Sequence, residues 1–336
     1  MHKRMPERIQ SAVVGAIERR AFPGCVIGVV RANGDRNVVP FGRLTYDTES
    51  PIVTTDTIYD LASITKSVPV ASLTLSLVGE GKLDLSDTVK KYIPELHNDY
   101  GATIEDLLTY RVKGPQMSNL RNKTPDEIFD FIFSHGFNAS PSKSQYTNLP
   151  AFLLGIVIER MTGESLGACA AGKLFGPLKM HTTLFSNIGV YETTNIAPTE
   201  IGENGEEIRG IVHDESARVF ARARRAVGHA GLFSTTPDLL NFLEALLQGK
   251  YPHVVAGAQK GLGWQTSAPW FMGHRVGPSA FGKTGFTGTS VVCDVDRGIA
   301  LVVLSNRTYP QRPPDATSIN SAINALRAEI ADIVFG

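Results

Sequence analysis

The sequence predicts an α+β fold, because β-type segments lie near both ends of the 336-residue chain and helical segments fill the middle. The β-type segments are short, rich in valine and isoleucine, and bounded by glycine, proline or polar turn residues. The predicted strands are 24–31, 37–42, 280–286, 289–295 and 299–306.

The predicted helices begin with residues 6–20 and continue through the centre of the chain. Residues 68–79 are apolar on nearly all sides, which is typical of a buried helix. Pro69 lies inside this helix, where a proline removes a backbone donor and is expected to bend the axis. The other predicted helices are 103–110, 124–134, 149–162, 237–247 and 316–334.

Composition excludes several classes of function. The chain is 42% hydrophobic, which is enough for a large core in one two-part domain or in two domains. Lysine plus arginine equals aspartate plus glutamate, at 33 each, so no net field attracts nucleic acid or a membrane surface. We expect a small-molecule substrate, no nucleic-acid partner and no membrane span, while the oligomeric state stays open.

The amino-terminal residues are charged and lack the apolar core of a signal peptide. The chain as written is therefore expected to be cytoplasmic, or periplasmic or secreted if a leader has been removed. The three cysteines, Cys25, Cys169 and Cys293, have no C-x-x-C spacing and are expected to be inert thiols. His213-Asp214-Glu215 are adjacent on a segment predicted to be irregular, where neighbours rarely converge on one ion. We expect no metal and no cofactor.

One motif is typical of a catalytic serine nucleophile. Ser63-Ile64-Thr65-Lys66 lies where an extended segment gives way to the apolar helix. A serine hydroxyl needs a base within hydrogen-bond reach, and residues three apart share one helix face. The helix amino terminus adds partial positive charge where an oxyanion forms. Together with Tyr146-Thr147-Asn148 and Lys283-Thr284-Gly285 later in the chain, this motif predicts a serine acyl-transfer enzyme.

Two other matches are decoys. The second S-x-x-K, Ser140 to Lys143, contains a proline in a polar run and is predicted to be loop. Residues 277–284 match the phosphate-binding pattern G-x-x-x-x-G-K-[ST], which requires a following helix. Glycine and β-branched residues follow instead and favour a strand, so the nucleotide-binding interpretation is rejected.

Two further motifs follow in the chain, Tyr146-Thr147-Asn148 and Lys283-Thr284-Gly285, and each pattern occurs once. With them, the chain resembles the serine β-lactamase and penicillin-binding protein superfamily, most closely its class C β-lactamase-like branch. The resemblance covers nearly the whole chain. It is also carried by residues 60–63, 79–83, 212–217, 228–234 and 285–288.

The resemblance implies a β-lactamase/transpeptidase-like fold, in which one antiparallel sheet is built from both termini and flanked by helices. A mainly helical subdomain would complete it. The chain would be a single catalytic domain, 1–336, with an α/β part at about 1–62 and 230–336 and the mainly helical part at about 63–229. Ser63 would lie at their junction.

The resemblance also implies roles. Ser63 would be the nucleophile, Lys66 its base partner, and Tyr146 the phenol that relays a proton to the leaving group. The residues lining the substrate site would be Asn148, Lys283, Thr284, Gly285 and Phe286. Backbone N–H groups of Ser63 and Phe286 would form the oxyanion hole. Two nearby ammonium groups favour the phenolate form of a tyrosine, so acid/base chemistry could proceed without a histidine.

The third motif bears on the substrate. Similar proteins often carry histidine at its first position, whereas this chain has Lys283. A cation there favours a substrate with a carboxylate near the scissile bond. The favoured function is a D-amino-acid peptidase or D-Ala-D-Ala carboxypeptidase-like enzyme. The alternatives are a carboxylesterase, a class C β-lactamase, or a non-turnover penicillin-binding sensor or scaffold.

One region departs from the resemblance. Residues 221–226 replace a short glycine-rich link and bring a basic run, Arg218, Arg222, Arg224 and Arg225. This run is predicted to be a solvated surface loop rather than an anion site. His229, between a glycine and an alanine, is predicted to be a structural residue in a tight loop.

Overall fold

The structure, a computed structural model, describes residues 5–185, 193–312 and 316–336. Its strands are β1 (Gly24–Arg31), β2 (Arg36–Gly42), β3 (Tyr59–Asp60), β4 (Leu184–Phe185), β5 (Glu200–Ile201), β6 (Glu207–Ile208), β7 (Leu232–Ser234), β8 (Gln265–Thr266), β9 (Phe281–Thr284), β10 (Ser290–Asp294) and β11 (Ile299–Ser305). Six of them form one antiparallel sheet in the order β2-β1-β11-β10-β9-β8. The remaining strands form a three-stranded sheet, β3-β7-β4, and the pair β5-β6.

Helices surround these sheets and fill the middle of the chain. They are α1 (Met5–Glu18), α2 (Ser72–Gly79), α3 (Val89–Tyr92), α4 (Ile104–Leu108), α5 (Pro125–His135), α6 (Leu149–Thr162), α7 (Leu166–Ala170), α8 (Glu215–Arg222), α9 (Thr236–Leu247), α10 (Pro252–Gln259), α11 (Pro269–Met272) and α12 (Ala316–Val334). Shorter 3₁₀ segments are Ala62–Lys66, Met117–Leu120 and Thr193–Asn195, and π-helical segments are Ser67–Ala71 and Ala171–Phe175.

The two ends of the chain meet in the centre of the main sheet. Strand β1 pairs antiparallel with β11, from Cys25 opposite Ser305 to Arg31 opposite Ile299. The α+β class and a sheet built from both termini, as predicted, are therefore confirmed.

Both faces of the sheet are covered, which explains why its central strands are apolar at nearly every position. Side chains on β1 alternate between two cores. Val26 and Val30 belong to the core that includes α9 and the helical part of the chain. Cys25 and Ile27 belong to the core formed with α1 and α12. The cysteines at 25, 169 and 293 are buried and free.

The segment that carries the nucleophile changes helix type along its length. It begins as a 3₁₀ helix at Ala62–Lys66, widens to a π-helix at Ser67–Ala71, and becomes α-helical at Ser72–Gly79. Pro69 lies in the π-helical part, where its missing N–H interrupts no α-helical ladder. The predicted helix at 68–79 is therefore α-helical only from Ser72.

Within the described residues, one helical stretch has the length and hydropathy of a membrane span. It is Ala62–Gly79, and 78% of it is buried inside the fold. Because it carries Ser63 and packs in the core, burial against the protein accounts for its apolar character.

The basic run lies at the surface, as the sequence predicts, with Arg222, Arg224 and Arg225 exposed, but only its second half is a loop. Its first two arginines belong to α8, whose amino terminus is capped by Asp214. Arg225 follows that helix, donates to Glu159 at 3.1 Å and lies 4.4 Å from the centre of the Phe129 ring. The sequence does not predict this helix because it has only about two turns, too few to show a clear helical pattern.

Both decoys have the predicted structure. The turn after β9 leads directly into β10 and not into a helix, which excludes a phosphate-binding loop. Ser140 and Lys143 are exposed in an irregular segment. Ser63 remains the serine in a helical S-x-x-K.

Candidate active site

Ser63 follows a strained turn. Ala62 has φ +46°, in the left-handed region that a non-glycine residue rarely adopts. Such a conformation costs on the order of 1–3 kcal/mol and persists only when its surroundings enforce it. Here the buried carboxylate of Asp60 accepts from the Ala62 N–H at 2.8 Å and from the His213 N–H at 2.7 Å. These contacts hold the turn that presents Ser63.

Lys66 lies beside the serine, as the spacing of the motif predicts. Its ammonium nitrogen donates to Ser63 Oγ at 2.8 Å and to the His229 carbonyl oxygen at 2.7 Å. The Lys66 side chain is only 1% exposed. Two acceptors at these distances fix the amine against the nucleophile.

Tyr146 completes a cluster with two lysines. The residue is 53% exposed, and the centre of its ring lies 5.2 Å from Lys66 Nζ and 4.7 Å from Lys283 Nζ. Burial raises the pKa of Tyr146, but the positive charges of Lys66 and Lys283 and hydrogen bonds with Ser63 and Lys66 outweigh it and lower the pKa to about 8. The phenolate is therefore accessible near neutral pH.

Lys283 lies behind Tyr146 and not on the cavity surface. Its side chain is 1% exposed, and Nζ donates to the Tyr110 hydroxyl at 3.2 Å. Burial lowers the pKa of Lys283 to about 8. Burial and the neighbouring Tyr146 raise the pKa of Tyr110 well above its usual value, so Tyr110 keeps its proton. Sequence analysis missed Tyr110, which follows α4 without any motif around it.

A cavity of about 440 Å³ opens onto the nucleophile. Its lining includes five predicted site residues: Ser63, Tyr146, Thr284, Gly285 and Phe286. It adds five that were not predicted: Gln265, Trp270, Arg307, Asn324 and Arg327. Ser63 and Phe286 share this cavity, as an oxyanion hole built from their N–H groups requires. A larger cleft of about 800 Å³ lies beside α6, away from the nucleophile.

Gly285 brings the third motif onto the nucleophile turn. A Cβ atom there would lie 2.3 Å from the Leu61 carbonyl oxygen and 2.1 Å from Thr289 Oγ1. Only glycine permits this approach. The end of β9 therefore packs directly against the turn that carries Ser63.

Asn148, just before α6, is tied to a carboxylate. Its Nδ2 donates to Asp214 Oδ2 at 3.0 Å. Burial alone would raise the pKa of Asp214, but hydrogen bonds with His229 and Ser216 hold it well below its usual value. Asp214 therefore stays ionised beside the site.

Arg327 forms part of the cavity wall and has unusual partners. It is 3% exposed and donates to the carbonyl oxygens of Gly285 and Thr289, at 3.2 and 2.7 Å, and to Asn324 Oδ1 at 2.9 Å. No carboxylate pairs with it in the part of the chain that the structure describes, and its Nε has no acceptor there. Burial and the charge of Arg307 lower the pKa of Arg327 to about 9.

The two histidines near the site face different partners. His213 Nε2 lies 3.2 Å from Glu200 Oε2, and its ring stacks on Phe286. His229 is fully buried, with Nε2 3.0 Å from Ser216 Oγ. Because the two histidines have different partners, His213 and its neighbours do not converge on a single position that could hold an ion. Across residues 5–185, 193–312 and 316–336, no group of three metal-ligating side chains occurs.

Comparisons with known proteins agree with this arrangement. The model of the Beta-lactamase family matches residues 9–324. A protein of Escherichia coli K12 named "Putative D-alanyl-D-alanine carboxypeptidase" is 30% identical, over 80% of this chain and 74% of its own. A crystal structure of a class C β-lactamase shares the fold, with a TM-score of 0.76, 16% identity and coverage of 98% and 97%. The hydrolase EstCE1, described as having promiscuous acyltransferase activity, has a TM-score of 0.74 at 19% identity, covering 99% and 98%. The family match across most of the chain and the serine–lysine pair identify this protein as a serine hydrolase of the Beta-lactamase family.

Proposed function

We propose that this protein is a peptidase of D-amino-acid peptides, of the carboxypeptidase type, which acts through an acyl-enzyme at Ser63. The observation that carries the substrate class is a buried arginine, Arg327, that lines the cavity of the nucleophile without a carboxylate partner in the described chain. The name of the Escherichia coli relative supports the same class.

The first chemical step is attack of Ser63 Oγ on the peptide carbonyl carbon. Lys66 donates to Ser63 Oγ and to the His229 carbonyl, so it orients the serine oxygen. Tyr146, whose pKa is about 8 and which hydrogen-bonds with Ser63, would serve as the base for the serine proton. The resulting oxyanion would lie against the N–H groups of Ser63 and Phe286.

The second step expels the leaving amine. The Tyr146 phenol, which has taken the serine proton, gives it to the amine nitrogen as the C–N bond breaks. An ester on Ser63 remains. Water then attacks the ester carbonyl as Tyr146 takes one of its protons, and Tyr146 returns that proton to Ser63 Oγ as the ester bond breaks, which releases the acyl product as a carboxylic acid and restores the serine hydroxyl.

Arg327 is the reason that we expect a negatively charged group on the substrate. An arginine buried beside a second one, Arg307, has its pKa lowered, and a bound carboxylate would relieve that repulsion. Asn324, one helical turn away on α12, holds the guanidinium and lines the same wall. The carboxyl-terminal group of a leaving D-residue fits this position.

This assignment replaces the role that the sequence predicts for Lys283. Because Lys283 is buried between Tyr110 and Tyr146, its ammonium group acts on the tyrosine and not on a substrate carboxylate. The carboxylate-binding role passes to Arg327 in this proposal.

A matched pair of substrates tests it. The wild-type protein should cleave an N-acylated D-Ala-D-Ala peptide with a free carboxylate faster than the same peptide as its carboxyl-terminal amide. A hydrogen bond to a charged group contributes about 1.5–3 kcal/mol, so kcat/KM should differ by roughly 10- to 150-fold. Arg327→Met should abolish this preference, and Arg327→Lys should retain part of it. Equal cleavage of acid and amide by the wild type would refute carboxylate recognition.

Carboxylesterase activity is the second candidate, and the aromatic rim of the cavity favours it. Trp270, Phe286 and Tyr146 are 43%, 41% and 53% exposed around the nucleophile. Such a rim can hold an uncharged acyl group. Rapid hydrolysis of p-nitrophenyl butyrate with no cleavage of either peptide would select the esterase. Labelling by fluorescent penicillin without any turnover would instead indicate a sensor.

A further inference from the structure

Asp214 joins two parts of the site that are far apart in the chain. Its Oδ2 accepts from Asn148 Nδ2 at 3.0 Å. Its Oδ1 accepts from the N–H groups of Ser216 and Ala217, at 3.1 and 2.9 Å, and from Ser216 Oγ at 2.7 Å. The same oxygen lies 3.4 Å from His229 Nε2. One carboxylate therefore caps α8 and also contacts Asn148 and His229, which come from other parts of the chain.

The hydrogen-bond pattern determines which groups carry protons. The Ser216 hydroxyl has one hydrogen and donates it to Asp214. The 3.0 Å contact between Ser216 Oγ and His229 Nε2 therefore requires a proton on Nε2, which Ser216 and Asp214 accept together. The His229 ring is thus oriented by the carboxylate, and it packs edge-on against Phe152.

The orientation of His229 reaches the nucleophile through its main chain. The His229 carbonyl accepts from Lys66 Nζ at 2.7 Å, and the same nitrogen donates to Ser63 Oγ. The preceding residue packs closely on α6, because a Cβ at Gly228 would lie 2.0 Å from the Ala151 carbonyl oxygen. A change in the orientation of the His229 ring can therefore reach Lys66 through the His229 carbonyl.

Asp214 also sets the amide of Asn148. A carboxylate only accepts hydrogen bonds, so Nδ2 must face Asp214 and Oδ1 must face away from it. An amide held in this way has one fixed acceptor and one remaining donor hydrogen.

We propose that Asp214 is a positioning residue for acyl transfer: it fixes the Asn148 amide directly and the Lys66 amine through His229. The inference rests on the proposed chemistry at Ser63 and is independent of which substrate supplies the acyl group. It adds to the Ser–Lys–Tyr set a residue that touches no substrate.

Asp214→Asn is the decisive variant, because it removes the negative charge and replaces one acceptor oxygen with a donor nitrogen while the size stays nearly the same. An asparagine keeps the size and can still cap α8 through Oδ1, but its Nδ2 then meets the donor Nδ2 of Asn148. We expect the acylation rate with a p-nitrophenyl ester to fall roughly 10- to 100-fold, with a smaller change in KM. Asp238→Asn is the matched control, since Asp238 accepts from the Thr182 N–H and the Thr183 hydroxyl and touches none of these residues. It should lose thermal stability without losing acylation rate.

A double variant separates positioning from general damage. Asp214→Asn combined with Asn148→Asp restores a donor–acceptor pair, so it should be more active than the two single losses multiplied together. Losses that simply multiply would overturn the proposal, as would an Asp214→Asn protein that acylates at the wild-type rate. The latter result would leave Ser63 and the proposed function untouched.

A crystal structure of Asp214→Asn decides the matter even if the wild-type protein turns over no tested substrate. The expected result is a rotated Asn148 amide, because the two Nδ2 donors cannot face each other. An Asn148 amide in its wild-type orientation would overturn the inference, whereas a failure of Ser63 to form any acyl-enzyme in the wild type would overturn the proposed function alone.

Discussion

The ammonium nitrogen of Lys283 lies 4.7 Å from the centre of the Tyr146 ring, and both groups have a pKa of about 8. Each charge therefore favours the other: the cation stabilises the phenolate, and the phenolate stabilises the cation. Substitution of either residue changes the charge near the nucleophile and leaves Ser63 itself unchanged.

Lys283→Met should move the pH dependence of acylation. Removing the cation destabilises the Tyr146 phenolate, so the pKa of Tyr146 rises and the rate of acylation climbs at a higher pH than in the wild type. The loss should be large at about pH 7 and smaller at about pH 9, measured with a neutral ester. Lys82→Met, which removes an exposed lysine paired with Glu80, is the control and should leave the profile in place. A loss of equal size at every pH would contradict this account of Lys283.

Tyr146→Phe should lower kcat for amide substrates by roughly 100-fold or more, the size expected for a lost general acid/base group. The ring and its packing against Tyr110 are kept, so the fold should survive. The rising limb of the pH–rate profile near pH 8 should vanish with the hydroxyl. Normal amide turnover by this variant would assign the serine proton to Lys66 instead.

Ser63→Ala should abolish both turnover and covalent labelling by fluorescent penicillin or an activated ester, because the hydroxyl that accepts the acyl group is removed. The alanine fits the half-buried turn, so unfolding curves should match the wild type. Ser140→Ala is the matched control, since Ser140 belongs to the exposed second S-x-x-K. Labelling retained in Ser63→Ala and lost in Ser140→Ala would reverse the motif assignment.

Local spacing predicted the residues that meet around the nucleophile. Lys66 is one helical turn from Ser63, so their contact follows from helix geometry and required no knowledge of the fold. The strand pattern predicted a strand over 280–286, and the structure ends β9 at Thr284, just before Gly285. The buried sheet could be predicted because its strands are continuous apolar runs.

Residues that act through tertiary contacts could not be predicted in this way. Tyr110 reaches Lys283 from the loop after α4, and Arg327 reaches the cavity from α12. No motif surrounds either residue, and an arginine in an amphipathic helix is usually solvated. Asp214 was seen only as part of a possible metal cluster, because its role depends on Asn148 and His229 arriving from other elements.

The last prediction concerns Gly285, where the third motif touches the nucleophile turn. In Gly285→Ala the new methyl group would lie 2.3 Å from the Leu61 carbonyl oxygen, so the turn before Ser63 or the end of β9 must shift. Overpacking of this kind costs about 1–3 kcal/mol in the free energy of unfolding. Because Arg327 also donates to the Gly285 carbonyl, the same shift disturbs the proposed carboxylate site. Acylation should therefore fall more for carboxylate-bearing substrates than for neutral esters.

Gly172→Ala is the control for this change, because a Cβ there meets nothing within 4 Å. That variant should be as stable as the wild type or slightly more so, since alanine loses less backbone entropy on folding than glycine. Denaturant unfolding and ester acylation, measured on both variants, separate the two effects. The account would be wrong if Gly285→Ala were as stable and as active as Gly172→Ala. That result would mean that the contact between the end of β9 and the Leu61 carbonyl does not set the geometry of the site.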